Sequence, residues 1–349
     1  MKICFATYPA VTLTGGGPYI KVKEIKKNLE LLGHQVDLFD MWNVNQKLNN
    51  YNIVHLVGAN FAVYGLARTL KKEKINYVLE PVFFSNHSPG FIRNINSVDK
   101  FTRKFASGIW FDYGIIRDIC NWSEKVLPNT YSEAEILSRG LSIPKEKFQV
   151  IHNGVSERFL SGDPSLFKNK YGKDNFILYV GHMGYKRKNG LALARALKQI
   201  NHPAVIIGNI ADTGEGKEIF SEIKENKNIT LIDALTNDSP LLSSAYAACD
   251  TFVLPSQFET PGIAALEAAL AGAKIVITPF GGTREYFNDL AEYPDINSIE
   301  SIKNSIEKSL NKPKDEKLKS HIKNNFLWNK IAEETSEVYV KVIDELKSK

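Results

Sequence analysis

Pro255-Ser-Gln-Phe-Glu-Thr-Pro-Gly-Ile-Ala-Ala-Leu-Glu-Ala-Ala-Leu-Ala-Gly272 decides how the rest of the chain is read. A β-rich run, Thr251–Leu254, leads into Pro255, and a short loop then carries Glu259. Thr260 suits an N-cap and Pro261 the first helical position, which predicts a helix over 262–271 stopped by Gly272. That order puts a helix N-terminus, with free N–H groups and a positive dipole end, at the carboxyl edge of a sheet. Such an end is ready-made for an anion. Glu267 is the only charged residue between Thr260 and Ala273. The helix around it has no polar face, which predicts burial, and a buried carboxylate needs partners. We read Glu267 as an acceptor for ligand hydroxyls, such as a sugar or ribose diol, over the alternative of a partly exposed glutamate.

The same alternation runs outward from this stretch. Strands are expected at 176–180, 204–207, 230–232, 251–254 and 274–278, with helices at 189–199, 217–226 and 240–248 between them. A last helical pair falls at 298–310 and 329–346. In the first half, strands are expected at 2–6, 34–39, 53–57, 77–79, 125–128 and 149–152, and a helix at 20–32. Alternating strands and helices imply parallel sheets with right-handed crossovers. A Gly-, Ser-, Asp- and Asn-rich break at 153–174 separates the halves. The fold class is therefore α/β with two doubly wound domains, 1–155 and 156–325. Ligands of such sheets bind outside the strands' carboxyl ends, so a cleft between the domains is the natural site.

Three other turns sit at such edges. Tyr179-Val-Gly-His-Met-Gly-Tyr-Lys-Arg-Lys-Asn-Gly190 follows a strand and precedes a helix. Its Gly181 and Gly184 allow a close-approaching loop, and Lys186, Arg187 and Lys188 suit a diphosphate. Taken alone, three basic loop residues are more ordinary as solvated surface. Thr14-Gly-Gly-Gly-Pro18 is neither G-x-G-x-x-G nor a P-loop, which argues against a dehydrogenase or a P-loop ATPase. Phe280-Gly-Gly-Thr-Arg-Glu285 is the third.

Composition agrees with a globular pair of domains. The 349 residues are 43% hydrophobic and 24% charged, which excludes a disordered chain or a disulfide-stapled module. The most apolar stretch, 262–280, is interrupted by Glu267, Gly272, Lys274 and Pro279, so no spanning helix is expected. The opening MKICFATYPA does not read as a secretory leader. Cys4, Cys120 and Cys249 are odd in number and far apart, fitting neither a disulfide framework nor a zinc site. A cytoplasmic setting is the expectation.

The net charge of +5 is uneven: 1–155 holds 19 basic and 13 acidic residues, and the remainder 25 and 26. This fits an anionic partner, such as a membrane surface or a phosphorylated acceptor, as well as an ordinary lysine-rich surface. No finger spacing, RNA-recognition motif or basic block points to nucleic acid. Residues 91–117 interleave Phe91, Phe101, Phe105, Trp110 and Phe111 with Arg93, Lys100, Arg103, Lys104 and Arg117. That pattern suits a membrane interface or a lipid-linked acceptor. A core-facing helix with snorkelling cations gives the same pattern, and we expect most of these aromatics to face the core.

These residues resemble a retaining glycosyltransferase of family 4. The Glu259-to-Glu267 spacing matches that family's E-x7-E motif, within P-S-x-x-E-T-P-G-x-x-x-L-E-A-x-x-A-G. Gly16 and Gly17 precede a helix ending in Gly33-His34-Gln35-Val36, like "GHxV". Asn52-Ile-Val-His55 is similar to "DxVH", Val150-Ile-His-Asn-Gly-Val155 to "VIPNGV", and Gly281-Gly-Thr-Arg-Glu285 to "GGxxE". Lys188-Asn189 resembles the family's "K-G/N" step. The likeness is specific in the second half and weaker over 60–125.

The resemblance implies two facing Rossmann-like domains of GT-B type, with the helix after Trp328, in 326–349, crossing back onto the first. It implies transfer of a hexose, with retention, from a nucleotide-diphosphate sugar to a hydroxyl of a glycan or lipid-linked glycan, in surface polysaccharide or glycoconjugate synthesis. UDP-sugars are favoured and GDP-sugars come next. Carried over, Glu259 meets the donor sugar's hydroxyls, Glu267 the ribose diol, and Lys188 the leaving diphosphate. Gly262 and Ile263 supply N–H groups beside Thr260, and Gly16 and Gly17 let a first-domain loop approach. His182 stands where the family usually has Arg, and Arg187 is the compensating cation. His87, after the strand at 77–79, is the candidate for the family's first-domain histidine. The chain has no Asp-x-Asp motif, so neither a metal nor any other cofactor is expected. Expected partners are the sugar donor, the glycan or lipid-linked acceptor, and a peripheral contact at the inner membrane face through the basic first domain. The alternatives are a non-catalytic glycan- or partner-binding protein on the same fold, and a sugar-nucleotide epimerase.

Overall fold

The computed structural model describes residues 1–14, 16–106 and 108–348. The chain forms two compact units, Met1–Asn153 together with Trp328–Lys349, and Gly154–Leu327. The first stretch runs β1 (Lys2–Thr7), α1 (Val11–Thr14), α2 (Gly17–Leu31), β2 (Gln35–Leu38), β3 (Ile53–Val57), α3 (Phe61–Lys72), β4 (Tyr77–Glu80), α4 (Pro89–Phe105), α5 (Asp112–Trp122), β5 (Lys125–Val126) and α6 (Tyr131–Leu141). Its five strands are all parallel, in the order β2-β1-β3-β4-β5. Strand β3, Ile-Val-His-Leu-Val, is buried along its whole length because helices cover both faces of the sheet.

The middle stretch runs α7 (Pro164–Tyr171), β6 (Ile177–Val180), α8 (Gly190–Lys198), β7 (Ala204–Ile207), α9 (Gly214–Lys224), β8 (Ile229–Ile232), α10 (Pro240–Ala248), β9 (Thr251–Leu254), α11 (Ile263–Leu270), β10 (Lys274–Ile277), α12 (Thr283–Phe287), α13 (Ile299–Leu310) and α14 (Lys317–Asn325). Its parallel sheet has the order β10-β9-β6-β7-β8. Strand β6 pairs with β7 on one side and β9 on the other, so the strand order reverses there. The carboxyl ends of β6 and β9 are the switch point at which open α/β sheets bind ligands.

The last helix, α15 (Trp328–Lys347), belongs to the first unit and packs along α2. Trp328, Ile331, Tyr339 and Val342 join Ile3, Phe5, Ile25 and Leu29 in one face of that unit's core. A polar chain runs through this packing. Lys21, buried on α2, places Nζ 2.9 Å from Glu80 Oε1 and donates to Asn129 Oδ1 at 2.5 Å. His55 Nδ1 lies 2.5 Å from the Tyr339 hydroxyl. Burial pushes the Glu80 carboxyl up and the neighbouring Lys21 ammonium pulls it back. Burial holds the His55 imidazole down near 3, so it is neutral.

Several expectations are corrected. Residues 149–152 are not a strand, and β5 ends at Val126; the chain only runs alongside it, with Gln149 N–H to Val126 O and Ile151 N–H to Pro128 O, both 3.0 Å. Pro128 has no N–H to extend the ladder. Helices α1, α3 to α7 and α14 fill stretches in which none is expected, α7 lying within the 153–174 break. Helix α2 begins at Gly17, ahead of the expected 20, and Gly15 lies outside the described residues. Helix α11 starts at Ile263, so Thr260 is not its N-cap and Pro261 not its first residue. The Thr260–Pro261 peptide is cis, and Gly262 precedes the helix at φ +84°. A Cβ at Gly262 would lie 2.9 Å from Leu254 Cδ2. The far end is as expected: Gly272 at φ +94° closes it, with Gly272 N–H to Ala269 O (3.1 Å) and Ala273 N–H to Ala268 O (2.9 Å).

The aromatics of 91–117 also differ from expectation. Phe91, Phe101, Phe105 and Trp110 are exposed. The charges turn inward instead. Asp99, fully buried on α4, lies 2.9 Å from Arg103 Nε and 3.1 Å from Arg117 Nη2. Gly114 leaves room for it, since a Cβ there would fall 2.2 Å from Asp99 Oδ2. A buried carboxylate has to bring its counter-charges with it, and that claims the core face of α4. The three cysteines are free and buried. Among the described residues, no helix is long and apolar enough to cross a membrane.

Candidate active site

The second unit's switch point is built from two loops tied together by backbone. After β6, Lys186–Lys188 form a turn that ends at Asn189, φ +52°. Asn189 Nδ2 donates to Pro255 O (3.1 Å) and Ile296 O (2.8 Å). After β9, Gln257 N–H donates to Arg187 O at 2.7 Å. The β10 turn joins in: Glu259 N–H donates to Phe280 O (3.1 Å) and Gly282 N–H to Glu259 O (3.0 Å). Gly281, at φ +101°, makes this approach feasible, because a Cβ would sit 2.1 Å from Glu259 O.

On this frame Lys188 Nζ lies 2.7 Å from Glu259 Oε1, and Arg187 Nη1 lies 3.4 Å from the same oxygen. Arg187 also reaches Phe258 O at 3.4 Å, its guanidinium 5.3 Å from the Phe258 ring centroid. Glu259 is 7% exposed, whereas the Arg187 side chain is 44% exposed. Two cations against one carboxylate leave a local excess of positive charge at the strand ends. The sequence pattern therefore placed Arg187, Lys188 and Glu259 in the same neighbourhood, and the structure brings them into contact.

Glu267 lies one turn down α11, in a second cluster. It is 4% exposed. Asn237 Nδ2 donates to its Oε1 (2.6 Å) and the Tyr246 hydroxyl to its Oε2 (2.9 Å). Burial, and then the Glu267 charge, push the Tyr246 phenol well above its usual range. Arg158 Nη2 in turn donates to Asn237, to Oδ1 at 2.7 Å and to the backbone oxygen. Arg158, Asn237 and Tyr246 went unread in the sequence. Nothing in their spacing marks them, since they come from three different segments that meet only on folding.

The remaining candidates are placed as follows. His182 is exposed, its Nδ1 3.4 Å from Asn209 N and its carbonyl accepting from Tyr179 OH at 3.3 Å. Thr260 and Gly262 lie in the turn ahead of α11, and Ile263 is that helix's first residue. In the other unit, Gly16 caps α2 in an extended conformation and Gly17 opens it. His87, also in that unit, is exposed on the loop after β4. Its Nδ1 lies 2.8 Å from the Tyr113 hydroxyl, and its ring stacks on Phe91 with centroids 4.5 Å apart. Phe83, His87, Phe91, Phe111 and Tyr113 line a cavity of about 460 Å³. Among the described residues, no group of three or more His, Cys, Asp or Glu is placed to hold a metal ion.

Residues 166–328 match the family model of group 1 glycosyl transferases. An uncharacterized glycosyltransferase of Methanocaldococcus jannaschii is 26% identical over 248 residues, which is 60% of this chain and 61% of that protein. A D-inositol 3-phosphate glycosyltransferase of Geodermatophilus obscurus is 27% identical over 184 residues, 48% of this chain and 40% of that one. The match thus spans less than two thirds of either relative's length. Among solved structures, the sucrose-phosphate synthase of Thermosynechococcus elongatus superposes with a TM-score of 0.74 at 15% identity, covering 99% of this chain and 100% of that one. Anabaena HepE in complex with UDP and glucose gives 0.68 at 16% identity, covering 97% and 99%. The fold is thus the two-domain, parallel-sheet α/β architecture of GT-B glycosyltransferases.

Proposed function

We propose that the chain is a retaining glycosyltransferase of family 4 type. It moves a hexose from a nucleotide-diphosphate sugar, a UDP-sugar first and a GDP-sugar next, to a hydroxyl of a glycan or lipid-linked glycan. The observation that carries this reading is the Lys188–Glu259 contact at the switch point, with a second buried glutamate eight residues on. The match of residues 166–328 and the names of the relatives support it.

In this reading Glu259 accepts from the donor sugar's hydroxyls, and Glu267, braced by Asn237 and Tyr246, accepts from the ribose diol. Lys188 and Arg187 exchange part of their contact with Glu259 for the diphosphate. The bond from the anomeric carbon to the diphosphate oxygen breaks, and charge builds on that oxygen, where fixed cations are worth most. The acceptor oxygen bonds to the anomeric carbon on the same face, and its proton passes to the departing diphosphate. The cations supply the neutralisation without a metal.

Thermal-shift measurements with UDP, GDP, ADP and dTDP, alone and as sugar conjugates, test the reading. Stabilisation by one nucleotide, lost in Lys188→Ala, together with transfer or donor hydrolysis lost in Glu259→Ala, is the expected result. No response to any nucleotide at millimolar concentration overturns it in favour of a glycan-binding protein.

A further inference from the structure

Helix α4 has three distinct faces. Ile92, Asn96 and Asp99 point into the core. Phe91, Val98, Phe101 and Phe105, spaced 7, 3 and 4 residues apart, fall on one outward stripe at helical period, and all four are exposed. Phe101 and Phe105 are 64% and 76% exposed, and their rings tilt against one another with centroids 4.9 Å apart. Beside the stripe, Lys100 and Lys104 are exposed, and the only acidic residue of α4, Asp99, is turned inward onto Arg103 and Arg117. Ile109 and Trp110, which follow α4 in the chain, are exposed too, and Phe61 lies 6.5 Å from the Trp110 ring. The unit that carries α4 has 23 basic and 18 acidic residues and the other has 21 of each, so the whole net charge of the chain belongs to the unit that carries α4.

We propose that α4 is a membrane-docking helix that lies in the headgroup plane of an anionic bilayer. Val98, Phe101 and Phe105 enter the acyl boundary while Lys100 and Lys104 meet lipid phosphates. A soluble monomer rarely exposes so contiguous an apolar surface without a partner for it. A protein partner explains the aromatics alone. An anionic bilayer explains the aromatics and the one-sided charge together, since an interfacial helix needs apolar burial and cationic attraction at once. The inference stands on α4 itself, and its test needs no sugar donor.

The intact chain is mixed with vesicles of phosphatidylcholine alone, or of phosphatidylcholine and phosphatidylglycerol in equal parts, and sedimented at low and high salt. Binding to the anionic vesicles at low salt is expected, weakened at high salt. Phe101→Glu with Phe105→Glu, and separately Lys100→Glu with Lys104→Glu, should each lower the partition by about tenfold or more. Both pairs are exposed, and an unchanged thermal unfolding midpoint shows that each variant folds. Absence of binding to anionic vesicles, or binding unaffected by either pair, overturns the proposal. So does sedimentation velocity showing a dimer that the phenylalanine pair dissociates, which makes the stripe an interface between copies.

Discussion

Lys188 Nζ is held 2.7 Å from Glu259 Oε1 by two loops that are tied to each other through Gln257 N–H and Arg187 O, 2.7 Å apart. The tie fixes the two loops from which these side chains reach a ligand. Pre-organised charge of this kind stabilises a developing anion most effectively. Lys188→Ala should therefore lower transfer by roughly 10²- to 10³-fold, and Glu259→Gln should lower it while leaving nucleotide-induced stabilisation largely in place. Initial rates with the preferred donor, paired with thermal shifts by the bare nucleotide, check both. Equal rates for Lys188→Ala and the parent chain would remove Lys188 from the reaction.

Tyr246→Phe deletes the hydroxyl that donates to Glu267 Oε2 at 2.9 Å. A buried carboxylate deprived of a donor costs about 1–3 kcal/mol. Urea unfolding should show a loss of that order, and nucleotide affinity should fall with it. Glu267→Gln should recover part of the stability in the Tyr246→Phe background and none of the affinity. An unchanged urea midpoint in Tyr246→Phe would mean that Glu267 is satisfied by its other partners.

Gly281→Ala tests the loop frame without touching a charged group. The added methyl would lie 2.1 Å from Glu259 O at a backbone φ of +101°, and both the clash and the left-handed backbone oppose it. A stability loss of about 1–3 kcal/mol is expected, with activity falling more than stability explains because Glu259 is displaced. Circular dichroism melts and rates on the same preparation separate the two effects. A fully active variant would show that the β10 turn does not fix Glu259.

Glu133 gives a pH-dependent prediction. Burial pushes its carboxyl up to about 7, although it accepts N–H groups from Phe83 (2.6 Å) and Asn129 (2.7 Å). A carboxyl raised in the folded state binds its proton more tightly there than when unfolded. The folded chain is thus favoured below the unfolded value, and that advantage is lost as pH rises from about 4.5 to about 7. The shift corresponds to about 3 kcal/mol. Unfolding free energies across that window should fall more steeply in the parent chain than in Glu133→Gln. Parallel curves would reject the assignment.

What could be read from residue patterns depends on how local the cause is. Buried parallel strands announce themselves as short apolar runs, and β3, β6, β7 and β9 lie where the sequence places them within a residue or so. The Lys188 and Glu259 neighbourhood was legible because each lies in the loop that leaves a strand's carboxyl end. The start of α11 was not, since Thr260 and Pro261 look like a cap while the chain delays the helix to Ile263. Gly262, at φ +84°, is out of helical conformation there, so the helix cannot start before Ile263. The aromatics of α4 misled for the opposite reason. Apolar residues at helical spacing read as core, but buried Asp99 recruits Arg103 and Arg117 and gives the inner face to charge. Asn237 and Tyr246 were illegible because their shared partner, Glu267, is distant in sequence from both, and Arg158 because it joins that cluster only through Asn237.

Because α15 returns to the first unit, that unit is discontinuous in the chain, with all of Gly154–Leu327 between its two pieces. On the ribosome, residues 1–153 emerge long before Trp328, Ile331 and Tyr339 exist to cover Ile3, Phe5 and Leu29. The inserted unit, being continuous, can close its own core as it is made. The first-made unit is thus the last completed, and until then its apolar sheet face is a natural target for chaperones.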